Sequence, residues 1–376
     1  MKTLAASLSA MLVVAGCAGA STSSSPATSN SPGQVIPMKY SSDGGGVITQ
    51  VSVGGGALVP IIIDTGSTGL RIFEQSVGSN VQAQKDVKIT ETYGDATEYD
   101  GYLASAIVKV GSATTSSPID IHVVNSVSCD PSVKDQSACE GSIQDTIKDG
   151  YYGIMGINLT PNGQAAGMSV YSPLPSLEGF KTYTIDATGC LEDEGTCSIT
   201  SGLPSSKPTS EVQMPELSDL ESDGTPEPSP PDGISYWNQI VKNCWAIKGN
   251  AVECAPSLMD SGTSAMRFAS GTLDGLPTTG GSVPDGTVEL EWYGSAKNGE
   301  PLWTMENGSD ADDVLMVDTD DDNLCSKIDP DQPMLSCQPD VITGLPFWLN
   351  FKVGYDLKNG LMTHYKVDIG STPSAD

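Results

Sequence analysis

The chain has 376 residues, 38% of them apolar, and sets 47 acidic against 18 basic side chains for a formal charge of −29 at neutral pH. That length has room for two lobes with real cores, and the apolar share argues against a disordered chain. The charge excludes nucleic acid as a partner, since phosphates would be repelled; it suits solubility, salt tolerance or a low-pH setting.

The first predicted element is MKTLAASLSAMLVVAGC, with Lys2 ahead of an apolar run that ends in Val14-Ala15-Gly16-Cys17. The run is too short to span a bilayer and is followed by small residues, as in a secretory signal. Val-Ala-Gly-Cys resembles a bacterial lipobox, which implies loss of residues 1–16 and a lipid on Cys17; plain cleavage near Ala18-Gly19-Ala20 is the alternative. Residues 17–36 read as a Ser/Pro-rich tether that cannot pack. No later segment is apolar for long enough to span, so membrane attachment is expected through the lipid on Cys17. The expected location is the bacterial cell envelope, on the periplasmic face of the outer membrane or the cell surface.

Beyond the tether, short alternating or β-branched runs recur: GVITQVSV, ALVPIII, YLASAIVKV, IDIHVV, TVELEWY and FKVGYDL, divided by Gly, Asp and Asn turns. Long stretches of 3.6-residue period are almost absent, so the chain is predicted to be all-β. One strand ends on a carboxylate, IIIDTGSTGLRIF at residues 61–73. An Asp-Thr-Gly-Ser turn alone says little, because any tight turn uses such residues. Its pattern returns in SLMDSGTSAMRFA at residues 257–269, however, pairing Asp64 with Asp260, Thr65 with Ser261, Gly66 with Gly262, Ser67 with Thr263, Leu70 with Met266 and Arg71 with Arg267. GIMGINL (153–159) and ITGLPFWL (342–349) then place a glycine, Gly156 or Gly344, at a similar distance downstream of each aspartate. The chain therefore reads as two copies of one unit. Between them, residues 201–233 hold seven prolines and seven acidic residues against one lysine. Such a composition predicts a linker or long surface loop, dividing an N-terminal lobe over 37–200 from a C-terminal lobe over 234–376.

With Cys17 taken by lipid, the other eight cysteines fall into sequence neighbours: Cys129 and Cys139, Cys190 and Cys197, Cys244 and Cys254, Cys325 and Cys337. Four local disulfides in an oxidising compartment are the simplest account. The alternative, a metal site, finds no Cys-x-x-Cys spacing and only two histidines, His122 and His364, both in strand patterns. Neither histidine is accompanied by the Gly-x-Ser-x-Gly elbow that would support a Ser-His-Asp site. Asp318, Asp320, Asp322 and Asp329 have calcium-loop spacing without the sixth-position glycine or terminal glutamate, and read as a solvated loop. Asn158 and Asn307 head glycan acceptor triplets that a bacterial lipoprotein would use as turns.

Two Asp-Thr/Ser-Gly turns on apolar strands, each followed by an apolar-apolar-Gly-apolar strand, resemble the pepsin-like aspartic peptidases over most of the chain from about residue 38. ITETYGDATEYDGYLASAIVKVG (89–111) resembles that family's flap hairpin, and VITGLPFWLNFKVGYDLKNGLMTHYKV resembles its C-terminal run. The details DTGSTGLRIF, MDSGTSAMRF and GLPFW look closer still to bacterial secreted proteins and lipoproteins of unassigned function related to that clan. The resemblance implies a bilobal fold of two pseudo-symmetric six-stranded-barrel-type lobes with a cleft between them. It implies an aspartic endopeptidase, a monomer without metal or other cofactor, whose partners are peptide or protein substrates. Asp64 and Asp260 would be catalytic. Thr65 and Ser261 would bond across to the opposite turn, Ser67 and Thr263 would bond the outer carboxylate oxygens, and Gly66 and Gly262 would let the turns approach closely. Tyr93 and Gly94 would close over the substrate from the flap, the alternative for Tyr93 being packing on its own hairpin.

The family's pattern is broken at Arg71, Asp95, Tyr152, Thr343 and Leu345, and positive charge at Arg71 and Arg267 is expected to hold both aspartates ionised. The runner-up is a silent lipoprotein of the same fold that binds peptides or proteins in its cleft. A third reading, a glycosidase using a carboxylate pair, has the repeated Asp-Thr/Ser-Gly turns against it.

Overall fold

The computed structural model describes residues 33–41, 45–133, 139–159, 162–165, 168–190, 197–217, 234–276, 281–307, 315–318, 324–326 and 337–367. Residues 1–32 with Cys17, the linker beyond residue 217, and Asp320, Asp322 and Asp329 of the acidic loop lie outside these. The architecture is all-β, as the alternating runs predict, and bilobal. No helix among the described residues is long and apolar enough to cross a membrane.

Each copy of the repeat builds the same three-stranded arrangement. In the first, Gly153–Ile157 lies parallel to Val59–Asp64 and antiparallel to Thr68–Phe73, with Gly156 opposite both Asp64 and Gly69. In the second, Val341–Ile342 lies parallel to Glu253–Leu258 and antiparallel to Met266–Ala269. Ile154 faces Arg71 as Ile342 faces Arg267, which puts Gly156 and Gly344 at equivalent places. Both must be glycine. A Cβ on Gly156 would lie 2.5 Å from the Ser67 carbonyl carbon, and one on Gly344, already at φ +61°, would lie 2.2 Å from the Ala265 oxygen.

The first copy continues outward through Ile119–Cys129 and Thr97–Ala106 to Gln82–Thr92, the last two forming the hairpin that carries Tyr93. The second belongs to an eight-stranded sheet that also holds Ile240–Ile247, Glu289–Trp292 and Trp303–Glu306. The first lobe packs mainly on Val, Ile and Leu, whereas the second closes on aromatic rings. There Phe347 stacks on Phe351 at 4.6 Å and Trp292 meets both edge-on. Large rings fill the wider gaps between short strands with few side chains.

Two boundaries differ from those read in the sequence. Residues 201–217 are not free linker: Ser210–Gln213 pairs with Leu361–Lys366, burying Val212 and, just beyond it, Met214. The prolines and acids that dominate the composition concealed a four-residue strand, too short for composition to register. The lobes are not cleanly divided either, because Phe351–Asp356 of the second half pairs with Thr182–Asp186 of the first, and Leu361–Lys366 adds to it. Alternation predicts that FKVGYDL is a strand but is silent about its partner.

All four neighbouring cysteine pairs are disulfides. Cys244 and Cys254 are directly cross-strand. Cys129–Cys139 closes a loop against the flap turn, where Asp130 N donates to the Ala96 oxygen at 2.9 Å.

Candidate active site

Asp64 ends the buried strand Val59–Asp64, Asp260 stands two residues beyond the end of Glu253–Leu258, and the two turns meet. Asp64 and Asp260 are 7% and 8% exposed, so two carboxylates sit side by side almost out of water. The local bonding is the same on each. Gly66 N donates to Asp64 Oδ1 at 2.7 Å and Ser67 Oγ donates to Asp64 Oδ2. Gly262 N donates to Asp260 Oδ1, and Thr263 Oγ1 to Asp260 Oδ2, both at 2.7 Å.

The turns are also laced to each other. Thr65 Oγ1 donates to the Met259 oxygen at 2.6 Å and accepts from Ser261 N at 2.7 Å; Ser261 Oγ accepts from Thr65 N and donates to the Ile63 oxygen, both at 3.2 Å. A Cβ on Gly66 would fall 2.6 Å from the Asp260 carboxyl carbon, and one on Gly262 would fall 2.5 Å from Asp64 Oδ1. Each glycine is therefore the floor on which the opposite carboxylate rests. The residue types read from the repeat, Thr/Ser beside the aspartate, then Gly, then Ser/Thr, each have a distinct contact.

Electrostatics follow from this enclosure. Burial first, and the charge of Asp64 second, push Asp260 from the ordinary aspartate range up to about 7, against the bonds from Thr263 and Gly262 that favour its ionised form. The enclosure therefore favours a proton on Asp260, with the Asp64 carboxyl beside it. Asp260 is thus not held ionised by Arg71 and Arg267, contrary to expectation, because each arginine is claimed by another acid. Arg71 Nη2 pairs with Glu91 at 2.9 Å, and Arg267 binds Asp318 through Nε and Nη2 at 2.6–3.1 Å.

Tyr93 packs edge-on against Tyr99 of its own hairpin at 5.3 Å, with the Arg71 guanidinium carbon 5.8 Å from its ring centre. Its hydroxyl is enclosed, has no hydrogen-bond partner among the described residues, and is near enough to Asp64 to be affected by its charge. The packing alternative for Tyr93 is thus realised. Gly94 stands at the hairpin tip with open space about it. In the turn, Asp95 accepts from Thr97 N and Oγ1, both at 2.9 Å, and Ala96 takes a left-handed φ of +71°.

His122 and His364 are fully buried, and burial drives both down to about 3, His122 with a further push from Arg71. Neutral and enclosed, they take no part in the site. Asn307 is buried and bonds Val283, Pro284 and Val288, so it is a structural turn residue. Two roles that bear on the site escaped sequence reasoning. Asn158 ties the first turn to the strand beneath it, its N donating to the Ser67 oxygen at 2.9 Å. Glu91 is a buried acid whose partner, Arg71, is distant in sequence; a lone glutamate in an alternating strand gives no signal of that pairing.

A family model, the PE-PGRS C-terminal aspartyl peptidase-like domain, matches residues 34–209. No curated protein matches the chain. The matched span contains the Asp64 turn, the flap hairpin and Gly156, and supports an aspartyl-peptidase-like relationship; the Asp260 turn lies outside it and is tied to the site by the repeat and by the contacts above.

Proposed function

We propose that the chain is a monomeric aspartic endopeptidase that hydrolyses peptide or protein substrates with a water activated between Asp64 and Asp260, held at the bacterial cell envelope by a lipid on Cys17. The observation that carries this reading is the mutual seating of the two turns, each carboxylate against the other turn's glycine in a nearly dry site, where a proton is favoured on Asp260.

Hydrolysis of an amide without a metal or covalent intermediate needs a base and an acid at once. A carboxylate pair bearing one proton supplies both, because like charges this close do not both ionise. The ionised member takes a proton from water as its oxygen bonds to the carbonyl carbon, and the protonated member gives its proton to the carbonyl oxygen. Collapse of the tetrahedral adduct then breaks the C–N bond, with a proton delivered to the departing nitrogen. Ser67 and Thr263 occupy the Oδ2 atoms, and the cross-turn bonds of Thr65 and Ser261 hold the two carboxyl groups in register.

Purified protein lacking residues 1–16 should cleave unfolded polypeptide at acidic pH and lose activity as pH rises through about 7, where Asp260 gives up the shared proton. Asp64→Asn and Asp260→Asn should each abolish cleavage with the fold intact. A folded wild-type chain that cleaves no member of a diverse peptide library between about pH 3 and pH 7 would replace this reading with that of a cleft-binding module.

A further inference from the structure

The mechanism above leaves unused the buried ion pair beside the dyad. Arg71 lies on Thr68–Phe73, directly after the Asp64 turn, while Glu91 lies on Gln82–Thr92, two residues before Tyr93. In hydrogen-bonded order these strands are separated by Ile119–Cys129 and Thr97–Ala106, so the pair reaches across the rolled sheet instead of along it. Its side chains are 1% and 8% exposed and 2.9 Å apart. Arg71 Nη1 donates to the carbonyl oxygens of Thr68 and Gly69 at 2.8 and 3.3 Å. One guanidinium thus touches the backbone that leaves the dyad turn, the flap strand, and the ring of Tyr93. A buried ion pair adds little net stability over apolar side chains of the same volume, whereas it fixes geometry and sets a local field.

We propose that Arg71 and Glu91 are a positioning pair for the Asp64–Asp260 site: together they fix the flap hairpin relative to the dyad turn and so keep the two carboxyl groups enclosed. The use of the pair rests on the peptidase reading; its test does not. The charged and titratable groups around it are Asp64, Asp260 across the dyad, Tyr93 on the flap, and His122, which stands opposite Arg71 on Ile119–Cys129 and is neutral.

The test is the titration of the Asp260 side-chain carboxyl, followed by carbon-13 resonance in the folded chain, with kcat and KM on an unfolded polypeptide beside it. Arg71→Lys keeps the charge and loses the fork. It should lower the Asp260 titration from about 7 by about half a pH unit or more as the flap loosens and water reaches the dyad, and reduce kcat about tenfold or more with KM little changed. An unmoved Asp260 titration, or an unaltered kcat, overturns the proposal. Should Arg71→Lys not fold, Glu91→Gln, which keeps the shape of the acid without its charge, decides in its place, and an unmoved titration there overturns the proposal. If the wild-type chain cleaves nothing, the peptidase reading fails and the titration still decides the positioning.

Discussion

Gly66→Ala is the most direct probe of how the two turns meet. Gly66 has no positive φ, so alanine fits the backbone and only the added methyl matters. That methyl would sit 2.6 Å from both Cγ and Oδ1 of Asp260 and 2.8 Å from Oδ2. Ordinary carbon contacts lie at about 3.5–4.0 Å, so roughly 1 Å must be opened. Asp260 cannot swing aside without losing its bonds from Gly262 and Thr263, so the displacement passes into the separation of the turns. It stretches the Thr65–Met259 and Ser261–Thr65 bonds at the same time. Overpacking of this kind costs about 1–3 kcal/mol, and misplacing catalytic groups by about 1 Å costs on the order of 100-fold in rate. The carboxyl groups also couple less when apart, so the titration of Asp260 should fall from about 7 toward the ordinary range. Kinetics with an unfolded polypeptide at acidic pH and a carboxyl titration by NMR would be run beside Gly141→Ala, where a Cβ meets nothing within 4 Å. A Gly66→Ala chain with wild-type kcat/KM and an unmoved Asp260 titration would refute the reasoning.

Asp260 also links stability to pH. Its folded pKa lies above its unfolded value, so its contribution is fully present below about pH 4 and is lost as pH rises through about 7. The melting temperature of Asp260→Asn, measured relative to wild type, should therefore climb across that window; a flat difference would contradict the protonated dyad. Tyr93→Phe removes an enclosed hydroxyl without a partner among the described residues, and should raise stability by about 1 kcal/mol, read as a higher urea midpoint at unchanged m. A lower midpoint would show that the hydroxyl is bonded. Cys17→Ser should abolish lipid labelling and release a soluble chain, and unchanged membrane partitioning would rule out the proposed anchor.

What was legible in the sequence was whatever repeats or alternates. The matched turns carry their neighbours' roles with them, because Thr65, Gly66 and Ser67 and their counterparts are each needed for one contact. The cysteine pairs were legible because each joins near neighbours in sequence. What was hidden involves partners far apart in sequence. Arg71 reads as free positive charge until Glu91 is found against it. Val212 and Met214 look like strays in a linker until Leu361–Lys366 lies alongside them. Periodicity tells which face of a strand is buried but never names the strand that will cover its edge.

The pairing of Phe351–Asp356 with Thr182–Asp186 has a consequence for biogenesis. While the chain is being made, the outer edge of Thr182–Asp186 stays open until some 165 further residues have been added, as the two ranges require. An unpaired edge of that kind recruits other strands, and contacts so distant in sequence close slowly. A fragment stopped near residue 200 would carry that bare edge permanently, so separately expressed halves are expected to aggregate unless their complement is supplied in the same refolding mixture.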